Sequence, residues 1–248
     1  MHLVWTQLRE AISLIARGDP YLISLLWVTV KVALISTASA LIIGLPIGLT
    51  IGVGRFRGRR TLQILANISM GLPPVVVGVV VLLLLLPGGA FGSLRIEYTI
   101  KALYVVQTIL ALPYIVALTP AAIQGLPRGL IEQARALGAR RLQLAALAAR
   151  EAKIGILAGV IAAVGATVSE VGAVIIVGGN FQGHDQTLAG ALLSQFTDTA
   201  NDPTETAIAL MLLGLILVLL GGLSILQQYA GGIRMRFVPA AEPRAEAM

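Results

Sequence analysis

At 248 residues, with 57% hydrophobic side chains and only 12% charged ones, the chain departs from the roughly 45–50% apolar and 25% charged make-up of soluble domains. Its net charge of +6 would suggest nucleic acid in a soluble protein, but in a chain this apolar the placement of charge matters more than its sum, and no nucleic-acid partner is expected. Without cysteine there is no disulfide and no thiolate metal site, and a run such as Val75 to Leu86, valine and leucine around one glycine, fits no soluble core. The composition describes an all-α polytopic membrane protein.

In chain order, residues 1–21 form an external amphipathic segment. Leu8, Ile12 and Ile15 share one helical face, Arg9, Glu10 and Arg17 fall elsewhere, and Trp5 suits the headgroup region; the segment is expected to brace the first span at the outer surface. A single transmembrane domain, 22–228, follows. A hydrocarbon core about 30 Å thick asks for roughly 20 apolar residues per helix, and five stretches meet that need: Leu22–Val53, Leu62–Leu86, Thr99–Gln124, Ile154–Val177 and Thr206–Gln227. The first is too long for the roughly 7–15-residue apolar region of a cleaved leader. Pro46 with Gly44 and Gly48, the pair Pro73 and Pro74, and Pro113 fall near mid-depth of the first three spans, where each proline removes a backbone hydrogen bond. Three interrupted spans favour a transport pathway over a lipid anchor. A tail, 229–248, closes the chain.

The connectors are lopsided in charge. The first, Gly54–Arg60, holds four arginines, and the third, 127–153, holds Arg128, Arg135, Arg140, Arg141, Arg150 and Lys153 against Glu132 and Glu151. The second, Pro87–Tyr98, has only Arg95 with Glu97, and the fourth, Gly178–Glu205, has no Lys or Arg but carries Asp185, Asp198, Asp202 and Glu205. Lys/Arg-rich loops stay in the cytoplasm, so connectors one and three are inside, the N-terminus is outside, and the tail with Arg234, Arg236 and Arg244 is cytoplasmic.

Two charges fall deep within the spans: Lys31 and Glu170, of opposite sign and at matching depth. Intramembrane charges pair or face a cavity, so an ion pair joining the first and fourth spans is expected. The rivals are a lone Lys31 that attracts an anion and a Lys31 that snorkels outward. In the third connector Leu130, Ile131, Ala134 and Leu137 share one face of a short helix, Glu132 suits its first turn, and Gly138 can end it in a left-handed conformation. A second amphipathic segment, Leu142–Ala149, leads back to the membrane. Such an element could lie on the membrane surface or dock into another protein.

The stretch "IEQARALGA" (Ile131–Ala139), followed by "GILAG" (Gly155–Gly159), resembles the EAA loop of bacterial ABC importer permeases, with Gln133 in place of the middle alanine. "GLPPVVVGVVV" (Gly71–Val81), "SEVGAVIIVGGN" (Ser169–Asn180) and "QTLAGALL" (Gln186–Leu193) narrow the resemblance to the tungstate/molybdate-type branch, closest to the tungstate permeases. The resemblance implies a type I importer permease with five transmembrane helices in a bacterial inner membrane, working as a homodimer. It implies two ATPase subunits as partners, an extracytoplasmic tungstate- or molybdate-binding protein, and contact with lipid. It places Glu132, Ala134 and Gly138 in ATPase coupling; Pro73, Pro74, Lys31, Ser169 and Glu170, by their depth in the spans, are the candidates for the pathway or gate. No phosphate-binding G-x-x-x-x-G-K-[ST] loop occurs, so ATP hydrolysis is expected on the partner. His2 and His184 lie far apart, and no catalytic residue, metal ligand or cofactor is expected in this chain. A permease for another oxyanion such as sulfate, or a secondary transporter or channel, is the alternative.

Overall fold

A stripe of small residues at four-residue spacing organises the bundle. The computed structural model describes residues 2–127, 129–198 and 203–231. Their helices are α1 (His2–Ala16), α2 (Pro20–Val53), α3 (Arg59–Ser69), α4 (Pro74–Leu85), α5 (Ile100–Gln124), α6 (Leu130–Ala136), α7 (Arg141–Glu151), α8 (Lys153–Ser169), α9 (Gly172–Gly178), α10 (Leu188–Asp198) and α11 (Pro203–Gly231). On α2, Val32, Ser36, Ala40, Gly44, Gly48 and Gly52 are all buried, and so are Leu103, Gln107, Ala111, Ile115, Thr119 and Ile123 on α5. Val32 clusters with Leu103 and Ala40 with Ala111, while Gly44, Gly48 and Gly52 lie against Ile115, Thr119 and Ile123. The two helices therefore advance in step and run parallel. In lipid no hydrophobic effect pulls helices together, so close backbone approach through small residues does that work. The approach is tight: a Cβ on Gly48 would stand 2.7 Å from Thr119 Cβ.

Parallel neighbours require a return crossing between them, and α3 with α4 supplies it. At one end Gln124 Nε2 of α5 donates to Gln63 Oε1 of α3 at 3.3 Å. At the other, Val81 and Leu85 of α4 pack with Ala102 and Val106 of α5. The return is not the continuous kinked span expected over Leu62–Leu86: the two helices meet at 102°. Pro73 stands in extended backbone at the start of α4, where two consecutive prolines leave no N–H to continue the preceding helix.

The fourth crossing also differs from expectation. α7 meets α8 at 74°, and α8 stops at Ser169, because Glu170 is extended at φ −76°, ψ 128° before α9 begins. α8 runs antiparallel to α5, with Gly159 against Leu118 and Ala163 clustered with Ala111. α11 returns along α8, with Gly165 near Leu220 and Gln227 Nε2 donating to the Ile154 carbonyl at 3.1 Å. By length and apolarity α2, α5 and α11 can each cross a membrane alone, and the two bent pairs bring the total to as many as five crossings.

The prolines expected to interrupt the first and third spans do not. α2 passes through Pro46, and α5 through Pro113 and Pro120, as unbroken helices; a proline is tolerated inside a membrane helix where neighbouring helices and Ser/Thr side chains re-satisfy the freed backbone groups. α1 packs along α11 as well as against the start of α2. Its buried seam is Ala11 with Leu14 and Ile15, in a cluster with Ala207, Ile208, Leu188 and the start of α2, while Ile12 is exposed. Of the expected tail, residues 229–231 complete α11. Residues 232–248, with Arg234, Arg236 and Arg244, lie outside the described residues, as do Arg128 and Asp202.

Candidate functional site

The two broken crossings meet at their breaks. α4 and α9 run side by side, and a Cβ on Gly78 would lie 2.9 Å from the Ala173 Cα, while Gly172 abuts Val75. Val81 and Leu85 then pack with Ala173 and Val177. Pro73, Pro74, Ser169 and Glu170 thus gather at one level of the bundle, although they are some 95 positions apart in sequence. Unwound backbone at membrane depth is tolerated where protein or a water-filled cavity receives it.

Glu170 has a local task there. Its Oε1 accepts a hydrogen bond from the Ala173 N–H at 2.9 Å, satisfying a donor that the break leaves without an intrahelical partner. The Ser169 hydroxyl donates back to the Gly165 carbonyl at 2.7 Å, within the last turn of α8. The expected ion pair with Lys31 does not form: the two side chains make no salt bridge with each other. Glu170 is held three residues from home, a bond that needs no distant partner. Lys31 lies on the exposed stripe of α2 with Ile23, Trp27 and Leu34.

The third connector closes on the end of α2. The last carbonyls of α2 lack helical partners, and two arginines take them: Arg135 Nη2 donates to the Val53 carbonyl at 2.8 Å and Arg59 Nη2 to the Gly52 carbonyl at 3.1 Å. Cations suit this negative end of the helix dipole. Arg55 and Glu132 add an ion pair at 3.5 Å between largely exposed side chains, worth about 0.2–1 kcal/mol at most. Around them lies a cavity of about 290 Å³ lined by Arg55, Arg59, Glu132, Arg135 and the neighbouring backbone.

α6 ends as its glycine predicts. Gly138 has φ +86°, its N–H bonds to the Arg135 carbonyl, and the Ala139 N–H reaches back to the Ala134 carbonyl, each at 3.0 Å. These two bonds form a Schellman motif. Ile131 and Ala134 pack inward against Leu144 and Ala148 of α7. Leu137, expected on that same face, instead points away: it is 89% exposed, and Leu142 across the turn is 85% exposed. The αL glycine turns the chain after Ala136, so a helical-face count fails one residue before the cap.

The fourth connector is pinned by a buried polar network. Tyr21 Oη donates to Gln186 Oε1 at 3.0 Å, the Leu188 N–H to Thr29 Oγ1 at 2.8 Å, and Asn180 Nδ2 to the Gly190 carbonyl at 3.2 Å. Asp185 is 1% exposed; its Oδ1 accepts from the Phe181 N–H at 2.7 Å, whereas Oδ2 is buried without a partner. Burial pushes the Asp185 carboxyl above its usual range, and the Phe181 N–H and the nearby His184 offset this only in part.

Sequence reasoning singled out Glu132, Ala134 and Gly138 but missed Arg55, Arg59 and Arg135 as one cluster. The available signal was the opposite charge of Arg55 and Glu132 in two connectors on the same side. It also missed the exposed Leu137 and Leu142 pair and the buried Asp185.

With this geometry in place, comparisons with known proteins agree with one another. A family model described as binding-protein-dependent transport system inner membrane component matches residues 44–230. The chain is 39% identical over 209 residues to a probable anion ABC transporter permease protein of Haloferax volcanii, covering 82% of this chain and 90% of that one. It is 30% identical over 205 residues to the tungstate uptake system permease protein TupB of Peptoclostridium acidaminophilum, covering 83% and 90%. Among solved structures, inward-facing MetNI methionine ABC transporter is similar in fold, with a TM-score of 0.68 at 20% identity over 86% of this chain and 99% of that one.

Proposed function

The chain belongs to the family of binding-protein-dependent transport system inner membrane components, and from that membership we propose that this ABC importer permease carries a tetrahedral oxyanion, tungstate or molybdate, into the cell. The cargo reading is supported by near-full-length likeness to a tungstate permease and an anion permease. The permease is a translocation subunit; hydrolysis of ATP falls to a separate ATPase, engaged in two copies by a homodimer of this chain. The arginine-rich end of the bundle faces the cytoplasm, and the Lys/Arg-free fourth connector receives the extracytoplasmic binding protein on the other side.

The observation that carries the coupling is the pair of exposed leucines at a rigidly capped turn. Leu137 and Leu142 stand 89% and 85% exposed on either side of Gly138, an apolar tip in a connector whose other surface is basic. Glu132, Ala134 and Gly138 shape α6 to enter a cleft of the ATPase. At the opposite end of the mechanism, Pro73, Pro74, Ser169 and Glu170 form the gate where the two broken crossings abut, because unwound junctions change angle at lower cost than continuous helices. Lys31, on the exposed face of α2, supplies positive charge to an anion passing between two copies.

The test is uptake by cells expressing this chain with its cognate ATPase and binding protein, supplied with micromolar tungstate, molybdate or sulfate. ATP-dependent tungstate or molybdate accumulation that disappears when this chain is omitted is the expected result. Preferential sulfate accumulation would replace the cargo, and failure of an assembled complex to move any oxyanion would overturn the assignment.

A further inference from the structure

We infer that the elbow between α2 and α6 is a binding site for a phosphate-class oxyanion. Three arginines, Arg55, Arg59 and Arg135, line one cavity of about 290 Å³, and the one carboxylate among its lining residues is Glu132. That volume is several times the ~30 Å³ share of a water molecule, enough for a tetrahedral anion with part of its hydration. Two of the guanidinium groups are held in place by backbone, Arg59 by the Gly52 carbonyl and Arg135 by the Val53 carbonyl. Both guanidinium groups are thereby anchored among the lining residues.

The second observation is a deficit. Arg135 Nη1 is buried and has no hydrogen-bond partner. A charged donor left without an acceptor is costly; the atom is closed to a water-sized probe, so an anion in the cavity attracts the Arg135 guanidinium by its charge and meets Nη1 only as the side chain turns toward it. Arg–phosphate contacts are among the stronger charge-assisted hydrogen bonds, because the planar fork matches the oxyanion. A protein side chain from a docked subunit fits these facts less well. The unpaired atom is closed to solvent, whereas Leu137 and Leu142 stand exposed at the turn.

Arg55 is shared. It now pairs with Glu132 at 3.5 Å, so an anion in the cavity competes with that carboxylate for it. Occupancy then weakens one of the two ties between α6 and the end of α2, leaving Arg135 as the other. The inference needs only that this face meet phosphate-bearing lipid or free anion; it does not depend on the cargo proposed above.

The experiment uses the full-length chain in nanodiscs, with no transport step. One arm reads retention of phosphatidylglycerol against phosphatidylcholine by native mass spectrometry. The other reads binding of inorganic phosphate and of tungstate by equilibrium dialysis in phosphatidylcholine alone. Arg135→Gln should weaken binding by roughly tenfold or more, Arg59→Gln should weaken it in the same direction, and Glu132→Gln should strengthen it. That pattern in the first arm identifies a lipid headgroup; in the second it identifies a free anion. The second arginine variant keeps the test intact if Arg135→Gln does not fold. Binding indifferent to all three substitutions, or no binding of any probe, would overturn the inference and leave the arginines as caps of α2.

Discussion

Gly138 offers the sharpest test of how the turn after α6 is built. Its φ of +86° is a conformation that side chains with a Cβ resist, yet a Cβ placed there would find nothing within 4 Å. The cost of Gly138→Ala in this chain is therefore backbone strain and not crowding, about 1–2 kcal/mol for an L residue in the left-handed region. That energy is a factor of roughly 5–30 in the equilibrium constant for forming the capped turn. Asparagine tolerates this region far better than alanine or valine, although it is larger than alanine. If the turn must be formed for the ATPase to engage, the affinity of the complex should fall by up to that factor in Gly138→Ala, further in Gly138→Val, and least in Gly138→Asn. The assay is titration of purified ATPase onto the permease in nanodiscs, with binding-protein-stimulated hydrolysis as the second readout. A clash between the new side chain and the docked subunit would give the opposite order of asparagine and alanine. Equal loss in Asn and Val variants, or an alanine variant of wild-type affinity, would refute the strain argument.

Two further expectations concern the scaffold. Gly48→Ala should lower the thermal stability of the chain more than Gly52→Ala, by about 1–3 kcal/mol: the first meets Thr119 Cβ at 2.7 Å, anchored on the α5 backbone, and the second meets the mobile Cδ1 of Ile123. Unfolding temperatures in nanodiscs report the order, and its reversal would remove the parallel α2–α5 seam as the reason. For Asp185, the native pKa lies above the ordinary 3.8, so the group's contribution to stability is complete below that value and is lost as pH rises through the raised native pKa. Ionised Asp185 is thus a cost at neutral pH. Asp185→Asn keeps an acceptor for the Phe181 N–H and should unfold at higher temperature than wild type at pH 7.5. The gap should shrink steadily toward pH 4, and a gap independent of pH would show that charge burial is not its cause.

Much of this was legible in the sequence because lipid makes hydropathy an unusually direct record of crossings. The arginine-rich connectors and the Gly138 cap were equally local signals. What the sequence did not disclose were effects decided by neighbours. Pro46 and Pro113 read the same as Pro73, yet only the Pro73–Pro74 pair breaks its crossing, since α2 and α5 are clamped together along the small-residue stripe. Glu170 read as a charge in search of Lys31, whereas it serves the Ala173 N–H three residues away. No periodicity reveals that a helix will stop at Ser169. The register that brings Val75 to Gly172 is likewise a property of two distant segments packing.

These arrangements bear on how a push at the α6 end of the bundle would travel. α2 spans 34 residues, about 51 Å at 1.5 Å per residue, and is tied at its last turn to α6 through Arg135. Along its length it is keyed to α5 by close glycine contacts, least yielding at Gly48, so α2 and α5 are taken to move as one body. α4 and α9 are joined to each other at Gly78 and Gly172 but end at unwound backbone toward α3 and α8. On the proposed reading, force entering at α6 therefore displaces the α2–α5 pair as a rigid lever, and angular change collects at the two breaks. Those breaks hold Pro73, Pro74, Ser169 and Glu170, and this is why a gate is placed there and not at the prolines of the unbroken helices.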